Sequence, residues 1–176
     1  MRKLLIGATT AMLALSSHSA IAESIKVTMN EAGTQTSAGS VMIEEHDDGL
    51  VFRPSLEGLS SGGHGFHVHE NGSCDSAMKK GEKVPAGAAG SHLDPHKTDS
   101  HGYPWSDQSH LGDLPLLYVG EDGEAKHPVL ATRLSLSDVQ GKALMVHEGG
   151  DNYSDSPEKL GGGGPRVLCG VIQQAD

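Results

Sequence analysis

Apolar and polar residues alternate along most of this chain, in runs too short for amphipathic helices. Ile25, Val27 and Met29 alternate with polar partners across Ser24–Asn30. In extended backbone successive side chains point to opposite faces, so such a run predicts a strand with one buried face. Val41 and Ile43 lead into His46-Asp47-Asp48-Gly49, which reads as a hairpin turn, and Leu50, Phe52 and Leu56 continue on the return strand. Further strands are expected at Gly65–Glu70, Leu116–Val119, Val129–Thr132, Ala143–Glu148 and Arg166–Ile172. Glu121-Asp122-Gly123 marks another turn, and Leu136–Val139 allows one short helical turn. About eight short strands among many glycines imply an all-β antiparallel sandwich or flattened barrel.

Two segments break the alternation. Asn71–Leu114 is rich in Gly, Pro, His and Asp and poor in apolar residues; Gly149–Pro165 is similar and ends in four glycines before its proline. Loops this long in a compact domain are usually either functional or disordered. Each begins directly after a histidine-bearing strand.

The amino terminus has a different character. Arg2 and Lys3 precede an apolar stretch from Leu4 to about Leu15, and Ala20-Ile21-Ala22 offers a small-residue cleavage site. Residues 1–22 therefore read as a secretion signal peptide, removed to leave one domain over 23–176. The stretch is too short and too interrupted to anchor in a bilayer, and no other run would span one. The net charge is −10 with neutral histidines, and losing Arg2 and Lys3 makes the mature chain more acidic still. No basic stripe interrupts this balance, so nucleic acid is excluded as a partner. An exported chain with two cysteines, Cys74 and Cys169, is expected to join them as a disulfide closing a loop of nearly a hundred residues.

The histidines carry the chemistry. In Gly65-Phe66-His67-Val68-His69-Glu70 the two imidazoles lie two residues apart, so both face away from the core that Phe66 and Val68 fill. His92, His101, His110 and Asp113 fall within 22 residues of the first long loop. Three histidines and a carboxylate suit tetrahedral zinc. His67, His69 and His147 come from two strands, and imidazoles without thiolate suit copper(II). His46, His64, His96 and His127 stand in polar surroundings and read as solvated.

Gly65–Cys74 resembles the copper-binding signature of the copper-zinc superoxide dismutases, and Gly163–Ile172 is similar to their carboxy-terminal arginine-cysteine signature. The loop from Ser91-His92-Leu93-Asp94-Pro95 to His110-Leu111-Gly112-Asp113-Leu114-Pro115 looks like the bacterial, periplasmic branch. The likeness covers essentially all of 23–176; one departure is Ser91, where glycine is common before the bridging histidine. It implies an eight-stranded antiparallel Greek-key β-barrel, related to the immunoglobulin-like sandwich, with two long functional loops; this enzyme is a familiar instance of that architecture.

It also implies one copper and one zinc per subunit and a periplasmic location. His67, His69 and His147 would bind copper alone, His92 would bridge the metals, and His101, His110 and Asp113 would complete the zinc site. Asp151 would hydrogen-bond one ligand of each metal, Arg166 would attract the anion, and Cys74 and Cys169 would form the disulfide. The implied reaction converts superoxide to oxygen and hydrogen peroxide by alternate reduction and reoxidation of copper, with His92 offering a proton. Two alternatives stand beside this: a non-enzymatic periplasmic protein that binds or delivers copper and zinc, and an Arg166 that only bonds nearby backbone. Tyr103-Pro104-Trp105 is either the contact patch of a homodimer or an anchor of the loop on the barrel. Lys79, Lys80, Lys83 and Lys159 are candidate guides for the substrate anion.

Overall fold

The computed structural model of the chain describes residues 24–173, so the expected leader at 1–22 lies outside the described residues. Eleven strands are formed among the described residues: β1 (Ser24–Glu31), β2 (Ser37–His46), β3 (Gly49–Leu56), β4 (Gly62–His64), β5 (Phe66–His69), β6 (Ala77–Lys79), β7 (Glu82–Val84), β8 (Leu117–Val119), β9 (Val129–Ala131), β10 (Ala143–His147) and β11 (Arg166–Val171). Eight of them fall where the alternation predicts strands. The three additions are β4 and the hairpin β6–β7, which lies inside the first long loop and corrects its reading as strandless. Leu136–Val139 forms the short helix α1, closed by a reciprocal Ser135–Asp138 capping box.

Seven strands make one antiparallel sheet in the order β5-β10-β11-β1-β2-β3-β9. The sheet is strongly curled: Phe52 of β3 and Phe66 of β5, near opposite ends of that order, meet edge to face with centroids 5.7 Å apart. Val27, Met29, Val41, Ile43, Leu144 and Val146 fill the space between, and Leu117 and Val119 of β8 join the same core. β4 pairs with β8 in a separate two-stranded sheet. This is the curled, mostly antiparallel barrel expected of the Greek-key class.

β10 is buried along its whole length. Leu144 and Val146 face the main core, while Ala143 and Met145 pack outward with Ala86, Ala89 and Cys169 in a second, smaller cluster. The first long loop thus covers the outside of the sheet, and the Cys74–Cys169 disulfide, with Cα atoms 5.8 Å apart, fastens it there. Among the described residues no helix is long and apolar enough to cross a membrane.

Candidate metal centre

The strand register assembles the histidines. On β5, Phe66 and Val68 enter the core, and His67 and His69 face out toward the loops. β10 pairs with β5 so that Met145 lies opposite His67, and a bulge after Val146 sets His147 at the end of the same face. The free edge of β5 is covered by the first loop itself, which removes an exposed edge. Leu93 N–H donates to the Val68 carbonyl at 2.8 Å and Val68 N–H to Gly112 at 2.9 Å. That pairing brings His92 opposite His69 and Asp113 opposite His67.

Two donor sets result, and all of their members are buried. Coordinating atoms of His67, His69, His92 and His147 lie within 4.8 Å of one another. In the other set, Nδ1 of His92, His101 and His110 approach Asp113 Oδ1 at 2.8, 3.0 and 3.3 Å. Donors around a tetrahedral zinc with ~2.0–2.1 Å bonds stand about 3.3 Å apart, so this spacing suits a shared ion.

Ring orientation is fixed from outside. On the side of each ring away from the donor sets, a carbonyl or carboxylate oxygen can only accept, so the nitrogen facing one there carries the proton. His67 Nε2–H donates to Asp151 Oδ2 at 2.8 Å, His69 Nδ1–H to the Gly90 carbonyl at 3.2 Å, and His147 Nδ1–H to the Gly164 carbonyl at 3.1 Å. The opposite nitrogen of each ring is left with its lone pair toward the copper-suited set. His101 Nε2–H donates to Asp151 Oδ1 at 2.7 Å, so one carboxylate holds a histidine from each set. His67 Nδ1, His92 Nε2 and His101 Nδ1 are buried without a hydrogen-bond partner. Orphaned buried nitrogens are costly unless a ligand satisfies them; both metals fit these residues.

Electrostatics follow from burial. Burial, then the neighbouring charge of His92, pushes His67 and His69 well below the usual imidazole value, and burial lowers His92. His147 falls to about 4, again chiefly through burial. Burial opposes protonation of His101 too, but the neighbouring carboxylates of Asp113 and Asp151 prevail and raise it to about 9. Against their own burial, the surrounding histidines hold both aspartates well below the carboxylate range.

Residues 37–172 match the family model described as copper/zinc superoxide dismutase. The chain belongs to the copper/zinc superoxide dismutase family. It is 51% identical over 157 residues to the copper-zinc superoxide dismutase of Photobacterium leiognathi, covering 89% of this chain and 91% of that one. The structure of the Brucella abortus copper/zinc enzyme superposes with a TM-score of 0.83 at 49% identity, over 86% of this chain and all of that one. The solution structure of a monomeric Salmonella enterica copper, zinc superoxide dismutase gives a TM-score of 0.77 at 54% identity, with the same two coverages. Copper and zinc are the cofactors of this dismutase.

Further residues lie around the cage. His64, expected to be solvated, is 2% exposed, because it lies on β4 and not in a loop. Its Nδ1–H donates to the carbonyl of His147 at 2.7 Å. His46, His96 and His127 are exposed as expected. Arg133 donates to the carbonyls of Pro104 and His110 at 2.8 and 2.7 Å, gripping the loop that carries the zinc-suited set. Arg166 donates through both terminal nitrogens to the carbonyls of Ala86 and Gly90. These bonds are the structural role weighed above, and they place its charge where it still acts on His69 and His147. Tyr103 and Trp105 stack at 5.2 Å and are 52% and 65% exposed.

Proposed function

We propose that the buried cage is the working centre of this superoxide dismutase, with His67, His69, His92 and His147 holding copper and His92, His101, His110 and Asp113 holding zinc. The observation that supports this most directly is His92, whose Nδ1 belongs to one donor set while its Nε2 is an orphan in the other. Bound copper supplies a one-electron couple that oxidises one superoxide to oxygen and, with two protons, reduces a second to hydrogen peroxide.

The chain's own residues do the rest. Asp151 orients His67 and His101 together, and the Gly90 and Gly164 carbonyls orient His69 and His147; such partners fix ring tautomer and basicity. His92 Nε2 faces the copper-suited set while Nδ1 is engaged with the other, so Nε2 is the nitrogen able to hold a proton and pass it to the product. The protein is acidic, so the approach of an anion depends on local positive charge. The family is itself a known case of such steering. Arg166, tethered beside His69 and His147, supplies that charge here. Residues 1–22 would direct export to the periplasm and be removed, leaving 23–176, and the stacked Tyr103 and Trp105 would be the contact face of a homodimer.

The test is superoxide decay per bound copper, using mature protein loaded with copper and zinc. Fast second-order decay that disappears when copper is removed is expected. Stoichiometric copper without acceleration would leave a protein that stores or delivers metal. His92→Ala should retain copper yet lose the effect of zinc on the copper spectrum; an unchanged spectrum and rate would remove the bridging role.

A further inference from the structure

The loop 149–165 grips one zinc-suited histidine twice. Asp151 Oδ1 accepts from the ring of His101 at 2.7 Å, and Asp155 Oδ2 accepts from the backbone N–H of the same residue at 2.9 Å. Asp155 uses its other oxygen within its own loop, accepting from Leu160 N–H at 3.0 Å. Leu160 leads into Gly161, whose backbone lies directly against Asp151 and the His101 ring. Tyr153, with φ at 56° between the two aspartates, turns the chain so that both carboxylates reach His101.

We propose that Asp155 is a positioning residue that joins the zinc-ligand loop to the glycine loop over the cage, so that zinc binding and the order of residues 159–164 are coupled through it. Without Asp155, His101 would keep only its ring contact to this loop, and Leu160 would lose its side-chain acceptor, leaving Gly161 held by its backbone bonds to Ser154 and Asn152. The proposal rests on the zinc role given to His101 above.

The experiment compares wild type with Asp155→Ala, Asp155→Asn and His101→Ala. It measures zinc affinity by competition with a chromophoric chelator, and amide exchange with and without saturating zinc. Asp155→Ala should lose roughly 10–100-fold in zinc affinity, the usual effect of removing a partner of a metal ligand. In wild type, zinc should slow exchange at Asn152 and Gly161, whose amides bond within this loop; in Asp155→Ala that slowing should shrink even at full zinc occupancy. Asp155→Asn, which keeps one acceptor oxygen, should fall between, and it carries the test if the alanine variant does not fold. Unchanged zinc affinity and unchanged zinc-dependent protection in Asp155→Ala would overturn the coupling, whatever happened to the melting temperature. If His101→Ala bound zinc like wild type, the zinc role itself would fail.

Discussion

Replacing Gly161 by alanine should damage the zinc site, whereas the same change one residue later should not. Both glycines have left-handed backbone, with φ of 70° and 77°. An alanine there costs about 1–2 kcal/mol in either case. Their surroundings differ. A Cβ on Gly161 would lie 2.0 Å from Asp151 Oδ1 and 2.8 Å from His101 Nε2; one on Gly162 meets nothing closer than Glu158 Cβ at 3.6 Å. Gly161→Ala must therefore push Asp151 away from His101 or lift the loop, and either breaks the 2.7 Å bond that orients the ring.

Loss of such a partner lowers metal affinity by roughly 10–100-fold, or about 1.4–2.7 kcal/mol of binding free energy. Both variants should lose stability in chemical unfolding of the metal-free protein, Gly161→Ala the more because it also disrupts the buried His101–Asp151 bond. Gly161→Ala alone should weaken zinc in chelator competition and alter the absorption of cobalt placed in the zinc site. Equal zinc affinity in the two variants would refute the argument that Gly161 is needed for close approach and not for its backbone angle.

Cutting the disulfide by replacing Cys74 and Cys169 with serine should cost about 4–5 kcal/mol, from the loop entropy of a 95-residue separation. That is a fall in melting temperature of roughly 10–20 °C, and a shift of only a degree or two would mean that the cut chain keeps the loop closed by other means. Removing the metals should leave β1–β3 protected in amide exchange while residues 91–114 and 149–165 lose protection, because their buried nitrogens lose the ions that satisfy them; uniform loss across the barrel would contradict a locally held centre. Arg166→Lys should not substitute, since an ammonium cannot span the Ala86 and Gly90 carbonyls as the two guanidinium donors do; a drop of about 1.5–3 kcal/mol in stability is expected, checked by denaturant unfolding. Trp105→Ala should halve the mass in solution if its exposed ring is the dimer contact, and an unchanged mass in light scattering would remove that interface.

Strands such as β1, β2 and β3 were legible because each buries one face, which stamps a period of two on the sequence. β10 was legible for the opposite reason. With both faces covered, Ala143-Leu144-Met145-Val146 reads as an unbroken apolar run. The hairpin β6–β7 left no such mark, since it contributes nothing to the main core and presents Met78, Lys79, Glu82 and Lys83 to solvent. The ligand candidates were legible from residue type and spacing. Asp155, Arg133 and His64 were not, because each acts on peptide N–H or carbonyl groups, and every residue but proline offers the former. His64 was misread because its neighbours are glycine and serine, which resemble a loop even where β4 pairs with β8.

One peptide oxygen has a consequence beyond hydrogen bonding. The Gly90 carbonyl accepts from both His69 and Arg166, so an imidazole of the cage and the cation beside it are measured from the same point. His69 stands on β5 and Arg166 on β11, so their alignment is set by the strand register of the barrel and tied to the covering loop at this one oxygen.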